Sequence, residues 1–90
     1  MILHIGKGKS VRERDILGIF DLDNSTVTAT GRAFLSRATK EKRVSYADDD
    51  IPRSFLLMTD GRVILSPLST SALNARVKEG RDVRGIVSSE

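Results

Sequence analysis

The segment Phe55-Leu56-Leu57-Met58-Thr59-Asp60-Gly61-Arg62-Val63-Ile64-Leu65 constrains this chain more than any other. Two apolar runs flank an Asp-Gly pair, and Gly61 supplies the positive φ that a tight antiparallel connection demands. A β-hairpin is expected here, with Pro67 ending its second strand because proline cannot donate to the ladder. A chain of 90 residues has room for one core, not two. A domain of this size buries only about 60–65% of the surface its unfolded chain exposes, so an oligomer interface would help.

The remaining segments read in order. Met1 to Ile5 is a first strand, ended by the glycines of Ile5-Gly6-Lys7-Gly8-Lys9, which suit a hairpin-like turn. Ile16 to Leu22 is another strand, with Ile16, Phe20 and Leu22 on one face and Leu17 and Ile19 on the other. Apolar residues on both faces imply a strand covered on both sides, or one covered by a neighbouring subunit. Gly18 marks a bulge or a close backbone approach. Asp23-Asn24-Ser25-Thr26 is an N-cap cluster, and the spacing predicts a helix over 26–42 with Val27, Gly31, Phe34, Leu35 and Ala38 as its apolar stripe. Gly31 weakens that helix by about 1 kcal/mol relative to alanine, in exchange for a closer helix–sheet approach. Arg32, Ser36, Lys40 and Arg43 form another face.

Val44-Ser45-Tyr46 reads as a short strand and Asp48-Asp49-Asp50-Ile51-Pro52 as a loop. Ser69 caps a final helix to Glu79, with Gly80 just past its end and Leu73, Val77 and Ala72 turned inward. Residues 81–90 lack a period and read as a flexible tail. The expected class is α+β: a small single domain over 1–80, mostly antiparallel sheet, with one central helix and one short C-terminal helix.

Composition narrows the function classes. Hydrophobic residues at 39% and charged residues at 30% belong to a globular chain rather than a disordered one. No apolar run approaches the ~20 residues of a membrane span, and MILHIGKGKS lacks a signal-peptide layout, so a cytoplasmic protein is expected. The absence of cysteine excludes disulfides, a thiolate metal site and a cysteine nucleophile. His4 is the only histidine, so it anchors no zinc site and completes no catalytic triad. Gly8-Lys9-Ser10 imitates the end of a phosphate-binding loop, but Leu3 stands where that motif needs glycine. Asp48, Asp49 and Asp50 lack the alternation and the glycine of a calcium loop and read as a solvated acidic turn. Neither an enzyme nor a cofactor protein is expected.

Charge is what remains. Fifteen Lys/Arg against 12 Asp/Glu give a net +3. The cations concentrate in Lys7, Lys9, Arg12 and Arg14 and again in Arg32, Arg37, Lys40, Lys42 and Arg43; the acids collect at Asp21, Asp23 and 48–50. Clustered lysine and arginine neutralise phosphates and release counterions, while a solvated basic face is the ordinary alternative.

MILHIG at the start, Arg14-Asp15-Ile16 leading into GIFDLD, and VILSPLSTSALNAR resemble the RemA/RemB family of small bacterial extracellular-matrix regulators. The resemblance covers about residues 1–80 and is closer to the RemB branch than to the RemA branch. It implies a small α+β protein that helps activate matrix (biofilm) genes. By the same resemblance it would bind double-stranded DNA as a homo-oligomer, ring-shaped in RemA-like members. The family's functional arginine after the first glycine-rich turn falls at Arg14. Its arginine-rich stretch before the hairpin is reduced here to Arg53, preceded by Pro52 and the acidic run. Lys7, Lys9, Arg12 and Arg43 are further DNA-binding candidates from charge alone. Neither a membrane nor a small-molecule substrate is expected as partner. The competing expectation is an interaction module that oligomerises without touching DNA.

Overall fold

The computed structural model describes residues 2–78. Its elements are β1 (Ile2–Gly6), β2 (Lys9–Arg12), a 3-10 turn (Glu13–Asp15), β3 (Ile16–Asp21), α1 (Leu22–Thr26), α2 (Ala29–Lys40), β4 (Val44–Tyr46), β5 (Ser54–Met58) and β6 (Val63–Ser66). A further helix, α3, runs over 70–78 to the last described residue. The fold is α+β, with strands β1 and β2 forming one antiparallel ribbon and the others a four-stranded sheet in the order β3-β5-β6-β4. All pairings are antiparallel except β4 with β6, which is parallel.

The apolar hairpin is the centre of the molecule. Phe55 faces Leu65 and Leu56 faces Ile64 across β5 and β6, and Gly61 takes φ 91° in the turn. Successive residues of a strand point to opposite faces, so each apolar run must be covered twice. On one face Phe55, Val63 and Leu65 pack with Ala38, Phe34 and Leu35 of α2. On the other, Leu56, Met58 and Ile64 pack with Leu3 and Ile5 of β1 and with Leu73 of α3. The sheet is therefore the middle of three layers. Ser54 and Ser66 are cross-strand partners and both fully buried, and each hydroxyl is satisfied. Ser54 donates to the Leu68 carbonyl at 2.7 Å, and Ser66 donates to the Ile5 carbonyl at 2.5 Å, tying the ribbon to the sheet.

Several sequence expectations hold. The strand at 44–46, the loop at 48–52 and the end of β6 before Pro67 lie as expected. The Ser69 hydroxyl accepts from the Ala72 N–H at 3.1 Å, an N-cap, and Leu73, Val77 and Ala72 turn inward. The expected helix end at Glu79–Gly80 and the tail at 81–90 lie outside the described residues.

Others need correction. The helix expected over 26–42 is α2 at 29–40, and residues 23–26, expected only to cap it, instead belong to a separate short helix, α1, because two caps compete. The Asp21 carboxylate accepts from the Asn24 N–H and starts α1, while the Thr28 hydroxyl accepts from the Gly31 N–H and starts α2. The break at Val27–Thr28 leaves Val27 74% exposed and off the apolar stripe. Gly31 packs not against the sheet but against the Ser25 carbonyl, where a Cβ would collide. The face assignment of β3 also changes, because the register slips between Ile16 and Gly18. This bulge shifts the alternation, so Ile16 and Ile19 share the β1/α3 side while Phe20 stacks on Phe55 with ring centroids 5.1 Å apart. Leu17 is 66% exposed and Phe20 43%, so the chain itself does not cover β3 completely. The hairpin-like turn expected at Gly6–Gly8 does join β1 to an antiparallel β2, although the strand itself, Lys-Ser-Val-Arg, buries only Val11 in part and carries no alternation that would mark it.

Candidate nucleic-acid interface

The strand ladders decide where each candidate cation stands. β3 runs antiparallel to β5, with Ile16 opposite Met58 and Asp21 opposite Ser54. Arg14 precedes β3 in the 3-10 turn, whose Asp15 carbonyl accepts from the Thr59 N–H at 2.8 Å. Arg53 precedes β5, with its N–H donating to the Ser66 carbonyl and its carbonyl accepting from the Leu22 N–H. Arg14 and Arg53 therefore stand at opposite ends of the β3–β5 pair. The five steps from Ile16 to Asp21 alone span about 17 Å.

Lys7 and Lys9 flank the tip of the β1–β2 ribbon, on the Arg53 side of the molecule. There the Lys7 N–H donates to Asp48 Oδ2 at 2.9 Å. Arg12, opposite Ile2, lies at the far end of that ribbon and leads into Arg14. Arg12, Arg14, Arg53, Lys7 and Lys9 are exposed, and no side-chain hydrogen bond or ion pair engages them among the described residues.

Arg43 is different. It is half-buried, donates from Nη1 to the Gly61 carbonyl at 2.7 Å and from Nε to Glu41 Oε1 at 2.8 Å, and its guanidinium lies over the Phe34 ring. The guanidinium thus ties the end of α2 to the hairpin turn. Lys42 of the second cation cluster and Arg62, which lies outside both clusters, share the Arg43 end of the sheet with the hairpin turn. Arg62 is paired with Asp60 at 2.7 Å. Their only signal is that a turn between β5 and β6 must lie beside the start of β3, a relation visible once the strand order is known.

The acidic run is built as a latch for the ribbon tip. Asp48 Oδ2 accepts from Lys7, and Oδ1 accepts from the Asp49 and Asp50 N–H groups at 2.6 and 3.3 Å. These amides, that of Lys7 first, hold the Asp48 carboxyl below the usual carboxylate range. A depressed folded pKa stabilises the ionised, latched form above the unfolded pKa, and that contribution is lost as pH falls through the folded one. In an NMR titration the Lys7, Asp49 and Asp50 amides should stay constant at neutral pH and move together below about pH 4. Movement centred near neutrality would contradict the latch.

Among the described residues, no three His, Cys, Asp or Glu side chains gather as a metal site. No helix among them is long and apolar enough to cross a membrane.

The family RemA-like, described as extracellular matrix regulatory protein A-like, matches residues 2–77, from the first strand of the ribbon into α3. The chain belongs to the RemA-like family. No curated protein matches it. Membership places the chain among matrix-regulatory proteins. The matched span holds the whole three-layer fold and both exposed arginines, Arg14 and Arg53.

Proposed function

We propose that this RemA-like chain is a non-enzymatic cytoplasmic regulator of the RemB branch that binds double-stranded DNA as a homo-oligomer and activates extracellular-matrix genes. The observation that carries the reading is the pairing of family membership with Arg14 and Arg53. Both guanidinium groups are exposed and unengaged among the described residues, at the positions the family resemblance nominates. The strings Gly18-Ile19-Phe20-Asp21 and Leu65-Ser66-Pro67-Leu68-Ser69 support the RemB branch. Contacts of this kind hold phosphates and fix position, while sequence preference arises from the energy of bending the duplex. A few cations per copy suffice once an assembly repeats them, because linked contacts multiply avidity.

The test is duplex binding by fluorescence anisotropy at two salt concentrations. Binding should weaken steeply with salt, and Arg14→Ala or Arg53→Ala should lower affinity on every sequence. Each should also reduce the salt slope by about 0.9 for every phosphate left without its cation. Arg43→Ala, whose guanidinium is occupied within the fold, should leave the slope unchanged. Duplex binding indifferent to both Arg14→Ala and Arg53→Ala would remove the proposal.

A second reading has its own observation. Asp21, Asp48, Asp49 and Asp50 stand at the Arg53 end of the sheet, where they repel phosphate and suit a basic protein surface. It expects an oligomer with no affinity for duplex even at low salt.

A further inference from the structure

We infer that a trough along the β4 edge of the sheet, with Lys42 at one end, binds a small amphiphilic carboxylate, an apolar chain with one anionic head. The trough is a cavity of about 400 Å³, within the range of small-ligand sites. It lies where α2 stops covering the sheet. Val44 and Tyr46 of β4 pair with Val63 and Leu65 of β6; α2 covers Val63 and Leu65 but leaves Tyr46 61% exposed. Leu22, Leu35, Val44 and Leu65 give the trough apolar walls from four different elements.

Its two ends differ. Lys42 stands at the hairpin-turn end, just before Val44, which pairs with Val63. Leu22 stands at the other end. Its N–H donates to the Arg53 carbonyl, and the Arg53 N–H donates to the Ser66 carbonyl at the close of β6. The three steps from Val63 to Ser66 span about 10 Å. One end is thus cationic and the other apolar, the complement of an anionic head on a hydrocarbon tail. The Lys42 ammonium and the Tyr46 hydroxyl, both on the lining, have no hydrogen-bond or ion-pair partner among the described residues.

The backbone at Lys42 gives a second, independent reason. α2 closes with the Arg43 N–H donating to the Ala38 carbonyl at 2.9 Å and the Lys42 N–H to the Thr39 carbonyl at 3.0 Å. The residue at the Lys42 position of this closing motif turns left-handed and is usually glycine. Lys42 has φ 58° and is the one non-glycine residue at positive φ among the described residues. Glycine would adopt that conformation without steric cost. The ordinary use of a cation at a helix end is to complement the dipole, but Arg37 and Lys40 already stand in the last turn. A strained backbone that carries a cation without a protein partner, beside an apolar cavity, calls for an anionic ligand.

The chain has one tyrosine and no tryptophan, so Tyr46 is the reporter of its own site. In a titration with decanoate the Tyr46 emission should change saturably, with a Kd of about 1 mM or tighter. Decylamine, with the same tail and the opposite charge, and neutral decanol should bind at least about tenfold more weakly. Lys42→Gly relieves the left-handed lysine, so it should melt at or above the temperature of the parent chain. It should nevertheless lose about tenfold or more in decanoate affinity. An equal response to decylamine, or undiminished decanoate binding by Lys42→Gly, would overturn the site. A Lys42→Gly chain that melts lower than the parent assigns the lysine to the fold and overturns it as well. If a second copy of the chain fills the trough instead, decanoate will not bind and Tyr46→Lys will lower the light-scattering mass, which also removes the proposal. Duplex binding enters none of these readouts, so the site and the DNA reading fail separately.

Discussion

Phe55→Ala is expected to lower the melting temperature by on the order of 15–30 °C in a calorimetric or circular-dichroism melt. The ring is 4% exposed, stacks on Phe20 and Phe34, and fills the space between the sheet and α2. Removing a buried phenylalanine costs about 3–5 kcal/mol, from lost transfer energy and from the cavity left behind. In a domain of this length each kcal/mol is worth roughly 4–8 °C. Total stabilities of about 5–15 kcal/mol leave little reserve against such a loss. A shift under about 5 °C would mean that α2 does not rest on this ring.

Leu56→Ala probes the opposite layer from the next position on the same strand. Leu56 is fully buried against Leu3, Ile5, Ile64 and Leu73, so its truncation should cost about 2–5 kcal/mol. Its loss should be felt first in the ribbon, as faster amide exchange in β1 and β2, because that layer rests on this face. Exchange that quickens only in α2 would contradict the three-layer arrangement. Adjacent residues with separate consequences are what a sheet covered on both faces predicts.

The two-sided apolar hairpin is plain in the sequence because Asp60-Gly61 and its flanking runs all point to one local structure. The same holds for the Ser69 cap and for Phe34, Leu35 and Ala38, whose helical spacing survives the shortening of the helix. What stays hidden depends on competition or distance. Asp21 and Thr28 both cap, and a single periodic stripe through Val27 cannot reveal that the second cap restarts the chain. β2 is held by pairing with β1 rather than by burial, so its composition is silent. Arg43 looks like one more surface cation in the sequence; its bond to the Gly61 carbonyl joins residues 18 positions apart. The separation of Arg14 from Arg53 follows from strand order, which no local pattern encodes.

The parallel pairing of β4 with β6 sets an order of events. β6 lies between β5 and β4, and among the described residues β4 has no other strand to pair with. β5 and β6 need only close a tight turn, a local step with little entropy to overcome. β4 must wait for that hairpin, and the segment between them must arch across the end of β6 with the Arg53 N–H reaching the Ser66 carbonyl. This strand, which joins only after the hairpin, is also the one whose departure would loosen Asp48 from Lys7, so fraying at this border and release of the ribbon tip are a single motion.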